Sequence, residues 1–83
     1  MRGAIQHINQ NSGMVAVLTE NGDYSVFELL GGDHAGVGDV VSWQNATALG
    51  DELLTNHTQN SRFQIFFQNH HVSRSQLRQQ LLF

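Results

Sequence analysis

The stretch from Gly3 to Leu30 constrains the fold more than any other part of the sequence. It contains three short runs whose side chains suit a half-buried strand, and two turn segments separate them. The first turn is Asn11-Ser12-Gly13. The second contains Asn21-Gly22, which favours a tight hairpin because both residues adopt the positive φ that such a turn requires. The sequence therefore predicts a β-meander that the rest of the chain must close.

Length and composition indicate one small domain. The chain has 83 residues, too few for two hydrophobic cores. It contains no cysteine, so we expect no disulfide and a reducing, cytoplasmic compartment. No apolar run approaches the ~20 residues needed to cross a bilayer, and the amino terminus lacks the apolar core of a signal peptide. We therefore expect no membrane association.

The strand pattern predicts a small closed barrel. Strands are predicted at about residues 3–9, 14–19, 24–30, 40–43 and 52–56, with a long glycine-rich connection, Gly31 to Gly38, after the third strand. Ile5 and Ile8 are three residues apart, which strict alternation cannot place on one face. A bulge near Gln6-His7 resolves this conflict.

The carboxyl-terminal third adds two further elements. Residues 62–68 alternate as a β-strand and are interpreted as a sixth strand or a cap, whereas residues 73–83 change to a helical period. A helix of about ten residues is marginal alone in water, so it must dock on its own barrel or on a second chain. We thus expect a barrel over residues 1–57 and an extension over residues 58–83, packed as one domain.

Three short patterns give the chain a resemblance to a known family. Residues 3–17 align without a gap with the pattern G-x-V-K-W-F-N-x-x-K-G-F-G-F-I. Residues 25–29 align with D-V-F-V-H, and residues 38–43 align with G-Q-x-V-x-F. On these residues, the chain resembles a diverged cold-shock domain, and the spacing agrees from Gly3 to about His57. The resemblance implies an all-β, five-stranded OB-type barrel, extended here by a sixth strand and a short C-terminal α-helix.

The resemblance also implies a binding surface. Cold-shock domains stack single-stranded bases on aromatic side chains of strands two and three, with lysines nearby. Here Met14 and Ala16 stand at two phenylalanine positions and His7 at the tryptophan position, which leaves Phe27 as the remaining platform aromatic. The residues expected to contact single-stranded RNA or DNA are Gln6, His7, Tyr24 and Phe27, together with Arg62 and Phe66 of the sixth strand, which lies outside the family pattern and could supply a replacement aromatic face. A net charge of −3 predicts that this binding is weak.

A protein-interaction or dimerisation module is the alternative function. It would use the sixth strand and the apolar stripe of the tail, which consists of Leu77, Leu81, Leu82 and Phe83. We expect no enzyme, because no nucleophile, base and orienting group are recognisable. Adjacent His70 and His71 point to opposite faces of a strand, and neither His34 nor His57 is joined by a well-spaced carboxylate. We therefore expect no metal site and no cofactor.

Overall fold

The computed structural model describes residues 1–31 and 35–82. Gly32, Asp33, His34 and Phe83 lie outside the described residues, and with them part of the glycine-rich connection. The described elements are β1 (Arg2–Asn9), β2 (Met14–Thr19), β3 (Tyr24–Leu29), β4 (Val40–Ser42), β5 (Gly50–Asn56), β6 (Ser61–Val72), a 3₁₀ turn (Arg74–Gln76) and α1 (Leu77–Gln80).

The six strands form one closed antiparallel barrel in the order β1-β2-β3-β6-β5-β4. β1 closes the barrel because its first half pairs with both β2 and β4. The all-β barrel expected from the sequence, with an added strand and a short carboxyl-terminal helix, is confirmed. Residues 2–29 form the expected meander, and Gly13 and Gly22 occupy positive φ in its two turns.

The inner faces of the strands supply the main core. Its members are apolar side chains that are almost completely buried: Ile5, Val15, Val17, Phe27, Val41, Trp43, Leu54, Ile65 and Phe67. Ile5 belongs to this core, and Ile8 packs against it half-buried, because the register of β1 against β2 shifts between Ile5 and His7. The bulge predicted near Gln6-His7 is therefore confirmed.

β6 extends further than the sequence pattern indicated. The predicted strand covered residues 62–68, whereas β6 continues through Asn69-His70-His71 to Val72. Residues 61–67 of β6 pair with β5, and residues 65–72 pair with β3 through register shifts on either side of Val26. These irregularities allow a polar segment to remain in the sheet although it lacks simple alternation.

The tail contains less helix than the expected ten residues. Ser73 precedes a 3₁₀ turn, and the α-helical part covers four residues. Such a short helix is unstable alone, so its conformation depends on packing against the barrel. None of the helices in residues 1–31 and 35–82 has the length and apolar character needed to cross a membrane.

Candidate functional site

The outer face of β2 and β3 is covered by the chain's own tail. Alternation places Val15, Val17 and Phe27 inside the barrel, and the residues between them face outward. The outward residues form a second buried cluster with the end of β6 and the tail: Met14, Ala16, Tyr24, Val26, Val72, Leu77 and Leu81. This face, which the cold-shock resemblance assigned to base stacking, is therefore closed to a ligand.

Two hydrogen bonds hold the end of the tail on this face. Asn9 Nδ2 donates to the backbone oxygen of Leu81 at 2.7 Å, and Ser12 Oγ donates to the same oxygen at 3.2 Å. Asn9 is itself almost buried, and its Oδ1 accepts the backbone N–H of Asn11 at 3.0 Å. The β1–β2 turn thus supplies donors to the carbonyl group of Leu81, the C-cap residue of α1.

The chain reaches the tail through a strained backbone position. His71 has a φ of 55°, which is uncommon for a residue with a side chain. Its Nδ1 lies 2.8 Å from Asp23 Oδ2, across from the start of β3. This hydrogen bond, followed by one from Thr19, lowers the pKa of the Asp23 carboxyl below its usual value. The contact fixes the point at which β6 ends and the tail turns back over the sheet.

The expectation that Phe27 and Tyr24 present their rings to a ligand is wrong. Phe27 is 0% exposed and meets the ring of Phe67 edge to face inside the barrel, with centroids 5.7 Å apart. Tyr24 is 6% exposed and lies under the tail. The alignment placed Phe27 at an outward position, but a register difference of one residue exchanges the two faces of a strand.

The other four predicted nucleic-acid residues do not form one patch. Gln6 and His7 are exposed at the bulge of β1, whereas Arg62 and Phe66 are exposed on β6. Phe66 lies opposite Glu28 and Asp51, so carboxylates flank its ring on both neighbouring strands. Of the six predicted residues, only His7 lies in a groove that is rich in cationic side chains.

This groove lies between the bulge of β1 and the tail, and we call it the basic groove. It has a volume of about 500 Å³ and is lined by His7, Arg74, Leu77, Arg78 and Leu81. His7 pairs with Ala16, so it is on the outer face of the sheet, at the margin of the covered area. Arg74 and Arg78 are four residues apart in the tail and are both exposed. Half of the four arginines of an acidic chain are thus gathered here.

No carboxylate neutralises the basic groove among residues 1–31 and 35–82. The one ion-pair contact in this part of the chain joins His71 to Asp23. Sequence reasoning missed Arg74 and Arg78, although their spacing was a usable signal. Two arginines at i and i+4, interleaved with Leu77 and Leu81, must emerge together beside the apolar stripe of a docked helix.

Two serine–histidine pairs occur in the barrel. Ser25 Oγ lies 2.8 Å from His70 Nδ1, but Ser25 is only 2% exposed and His70 Nε2 contacts the backbone oxygen of Ala48. Ser42 Oγ lies 2.7 Å from His57 Nε2 at the surface. The first pair lacks access for a substrate, and the described residues place no carboxylate on the second. Both pairs can stabilise the barrel by hydrogen bonding.

The residues expected to mediate protein interaction divide into two groups. Leu77 and Leu81 are 5% and 1% exposed against the chain's own barrel, so the intramolecular alternative for the tail is the one observed. Leu82 is 67% exposed, and Phe83 lies outside the described residues. β6 is paired with β3 over residues 65–72 and with β5 over residues 61–67, so both of its edges are occupied over residues 65–67.

Within residues 1–31 and 35–82, no group of three or more His, Asp or Glu side chains is placed to hold a metal ion. Comparison of the chain with protein-family models, with curated proteins and with solved structures gives no match.

Proposed function

We propose that this chain is a non-enzymatic OB-type module of the cytoplasm that binds single-stranded RNA or DNA weakly, through the phosphate backbone, in the basic groove. The observation that carries the proposal is the grouping of His7, Arg74 and Arg78 along one groove with no acidic side chain in its lining. Guanidinium groups bind phosphate oxygens in a bidentate manner, which makes arginine well suited to this role.

The groove favours contacts with phosphates over contacts with bases. Phe27 and Tyr24 are buried, so stacking worth ~1–3 kcal/mol per base is not available from them. Leu77 and Leu81 line the groove but are only 5% and 1% exposed, so they offer a sugar or a base little apolar contact. We therefore expect low affinity and little preference for base sequence.

A labelled oligonucleotide titration at several salt concentrations tests this proposal. Two phosphate contacts on a single strand predict a slope of about −1.4 for the logarithm of the binding constant against the logarithm of salt. Backbone amide shifts should concentrate at Gln6, His7 and residues 74–81. Substitution of both arginines, R74Q/R78Q, should abolish binding.

Arg2→Gln is the control for loss of a guanidinium charge, because it removes one such charge from an exposed position at the start of β1, outside the groove lining. If Arg2→Gln loses oligonucleotide binding as R74Q/R78Q does, the groove is not the binding site. The same conclusion follows if R74Q/R78Q still binds. An oligonucleotide that produces no amide shift at low salt contradicts the proposed function itself.

A second candidate function, association with another protein, is favoured by an exposed apolar area around β6. Phe66 is 38% exposed, and Leu30 and Leu49 are 52% and 66% exposed. Leu30 follows the residue that pairs with Ile65 of β6, and Leu49 precedes the residue that pairs with Phe67 of β6. Exposed apolar groups that lie together mark interaction surfaces. Analytical ultracentrifugation of the chain and of the L49S/F66S double variant separates the candidates. If the parent chain is a dimer and the double variant is a monomer, the result supports association. If the parent chain is a monomer at all concentrations, the result contradicts self-association.

A further inference from the structure

The outer face of β3, β6 and β5 carries an aromatic ring between two carboxylates. Phe66 lies directly opposite Glu28 of β3 and Asp51 of β5, so these side chains form one row across three neighbouring strands. Ile65 and Phe67, the neighbours of Phe66 in sequence, belong to the main core, so the row points away from it. We call the row of Glu28, Phe66 and Asp51 the acid-flanked surface. Adjacent strands are about 4.8 Å apart, so the backbones of its two acidic residues are about 10 Å apart.

The carboxylates of the acid-flanked surface form no ion pair within the described part of the chain, where the one such contact is at the end of β6. Glu28 Oε1 accepts Gln68 Nε2 at 3.3 Å, and no hydrogen bond among the described residues involves the Asp51 side chain. The ring of Phe66 is 38% exposed. An exposed aromatic ring beside two unpaired carboxylates suits a cationic partner, because guanidinium groups stack on aromatic faces and pair with carboxylates.

The basic groove carries the complementary groups. Arg74 and Arg78 are both exposed, and neither forms an ion pair with another described residue. They are four residues apart, about 6 Å along a helix axis, and their long side chains can spread to reach carboxylates on either side of a ring. The groove between them has a volume of about 500 Å³, which admits a phenylalanine side chain. The groove and the acid-flanked surface share no residue, so each is free to contact the other surface of a second copy.

We infer that two copies of this chain associate by placing the acid-flanked surface of one copy on the basic groove of the other. Glu28 and Asp51 pair with Arg74 and Arg78 of the second copy, and the Phe66 ring contacts a guanidinium face. The inference rests on association, the second candidate function, and names the partner and the surface that receives it. A net charge of −3 on each copy opposes association, so the dissociation constant should be between about 10 μM and 1 mM.

A concentration series of the unaltered chain, followed by backbone amide shifts, tests the inference directly. Between about 20 μM and 1 mM, shifts should change at residues 28, 51 and 66 and, with the same dissociation constant, at residues 7 and 74–81. Raising the salt from about 50 mM to about 500 mM should weaken association at least about 5-fold, because salt screens exposed charges. Changes confined to one of the two surfaces, or no change up to about 1 mM, would overturn the inference.

Two double variants test which surfaces meet. E28Q/D51N removes both carboxylates and keeps an oxygen for Gln68, whereas R74Q/R78Q removes both guanidinium groups. Each variant alone should associate at least about 10-fold more weakly than the parent chain, because one member of every charge pair is missing. A mixture of the two should associate again, since one intact surface of each kind remains.

Labelling one variant at a time with ¹⁵N shows where the mixture is in contact. Shifts should change at residues 28, 51 and 66 of labelled R74Q/R78Q, and at residues 7 and 74–81 of labelled E28Q/D51N. The matched control is E20Q/E52Q, which removes two carboxylates outside the acid-flanked surface and should associate as the parent chain does. Equal weakening in this control would overturn the inference, because net charge rather than the acid-flanked surface would then set the affinity.

These outcomes separate the inference from the functions proposed above. If the parent chain associates but mixing the two variants restores nothing, the inference fails and association through another contact stands. If no oligonucleotide binds, phosphate binding fails, whereas the mixing experiment still decides this inference. An oligonucleotide that occupies the groove should abolish the concentration-dependent shifts at residue 66, and unchanged shifts there would overturn the inference. If a variant fails to fold, the concentration series of the unaltered chain remains decisive.

Discussion

The buried amide of Asn56 donates a hydrogen bond from Nδ2 to Asp39 Oδ2 at 2.9 Å, and this contact joins the end of β5 to the turn before β4. The same carboxylate oxygen accepts Gln59 Nε2 at 2.7 Å and the backbone N–H of Gly36 at 2.9 Å. The backbone oxygen of Asp39 accepts the N–H of Ile5 at 2.9 Å, so the turn is also bound to β1. β1, the end of β5 and the turn before β4 therefore meet at one residue, Asp39.

Asp39→Asn should lower the free energy of unfolding by about 2 kcal/mol near pH 7, because the amide carries fewer acceptor sites for three donors. Burial raises the pKa of Asp39, but hydrogen bonds from Asn56, Gly36 and Gln59 outweigh it and keep the pKa below 3.8. Because the pKa of Asp39 is lower in the folded chain than in the unfolded chain, its ionisation stabilises the fold at pH values above the unfolded-state pKa. This stabilisation is lost as the pH falls through the folded-state pKa.

Urea denaturation of the parent chain and of Asp39→Asn should therefore show a difference that shrinks below about pH 4. Asp51→Asn is the control, because Asp51 is an exposed acid on β5. Asp39→Asn could instead lower the free energy of unfolding by the same amount at every pH, or by no more than Asp51→Asn does. Either result would show that the buried carboxylate does not hold these segments together.

Local chemistry was sufficient to predict the meander and the bulge. Asn21-Gly22 supplies its own positive-φ turn, and the spacing of Ile5 and Ile8 shows the irregularity of β1 without reference to distant residues. The sequence did not show whether the Phe27 side chain faces the inside or the outside of the barrel, because both faces of β3 are buried. Alternation then no longer separates inside from outside, and the buried run of Tyr24 to Phe27 fits either register.

The basic groove could not be predicted because it depends on where the tail docks. The sequence shows an apolar stripe at Leu77 and Leu81 but does not identify the surface that receives it. Only contact with Asn9 and Ser12, about 70 residues away in sequence, brings the arginines of the tail beside His7. Likewise, β6 continues beyond residue 68 because β3 offers partners there, and this information lies outside the β6 sequence.

Leu81→Ala should destabilise the chain by about 2–5 kcal/mol, because Leu81 is fully buried between the tail and the outer face of β2 and β3. Leu82→Ala removes the same atoms from the next residue, which is 67% exposed, and should change stability by less than about 0.5 kcal/mol. Thermal and urea denaturation of both variants measure the difference. Equal, small effects would mean that the tail does not pack on the barrel in solution.

His70 should be found as the tautomer with its proton on Nε2. The backbone oxygen of Ala48 can only accept a hydrogen bond and lies 2.5 Å from Nε2, so Nδ1 of the neutral ring accepts from Ser25 Oγ. Imidazole ¹⁵N shifts near neutral pH measure this directly. Ser25→Ala should cost about 1 kcal/mol, whereas Ser42→Ala, which breaks a serine–histidine contact at the surface, should cost less. A proton on Nδ1 would contradict this arrangement of the ring.

Gly3→Ala should destabilise the barrel by about 1–3 kcal/mol, because β1 passes too close to β2 for a side chain at this position. A Cβ on Gly3 would lie 2.4 Å from the backbone oxygen of Leu18 and 2.6 Å from Val17 Cγ1. Gly3 also pairs with Val41 of β4, so β1 cannot move away from β2 without disturbing the closure of the barrel.

Gly36→Ala is the matched control for this substitution. Its Cβ would come no closer than 3.8 Å to the Asp39 carboxylate, its φ lies outside the left-handed region, and alanine retains the N–H that donates to Asp39. We expect Gly36→Ala to change the free energy of unfolding by less than about 1 kcal/mol, because alanine lowers the conformational entropy of the unfolded chain by an amount of this size. If urea denaturation gives Gly3→Ala and Gly36→Ala the same free energy of unfolding, then β1 is not in close contact with β2 at Gly3. β1 would then have room for a side chain there without opening the barrel.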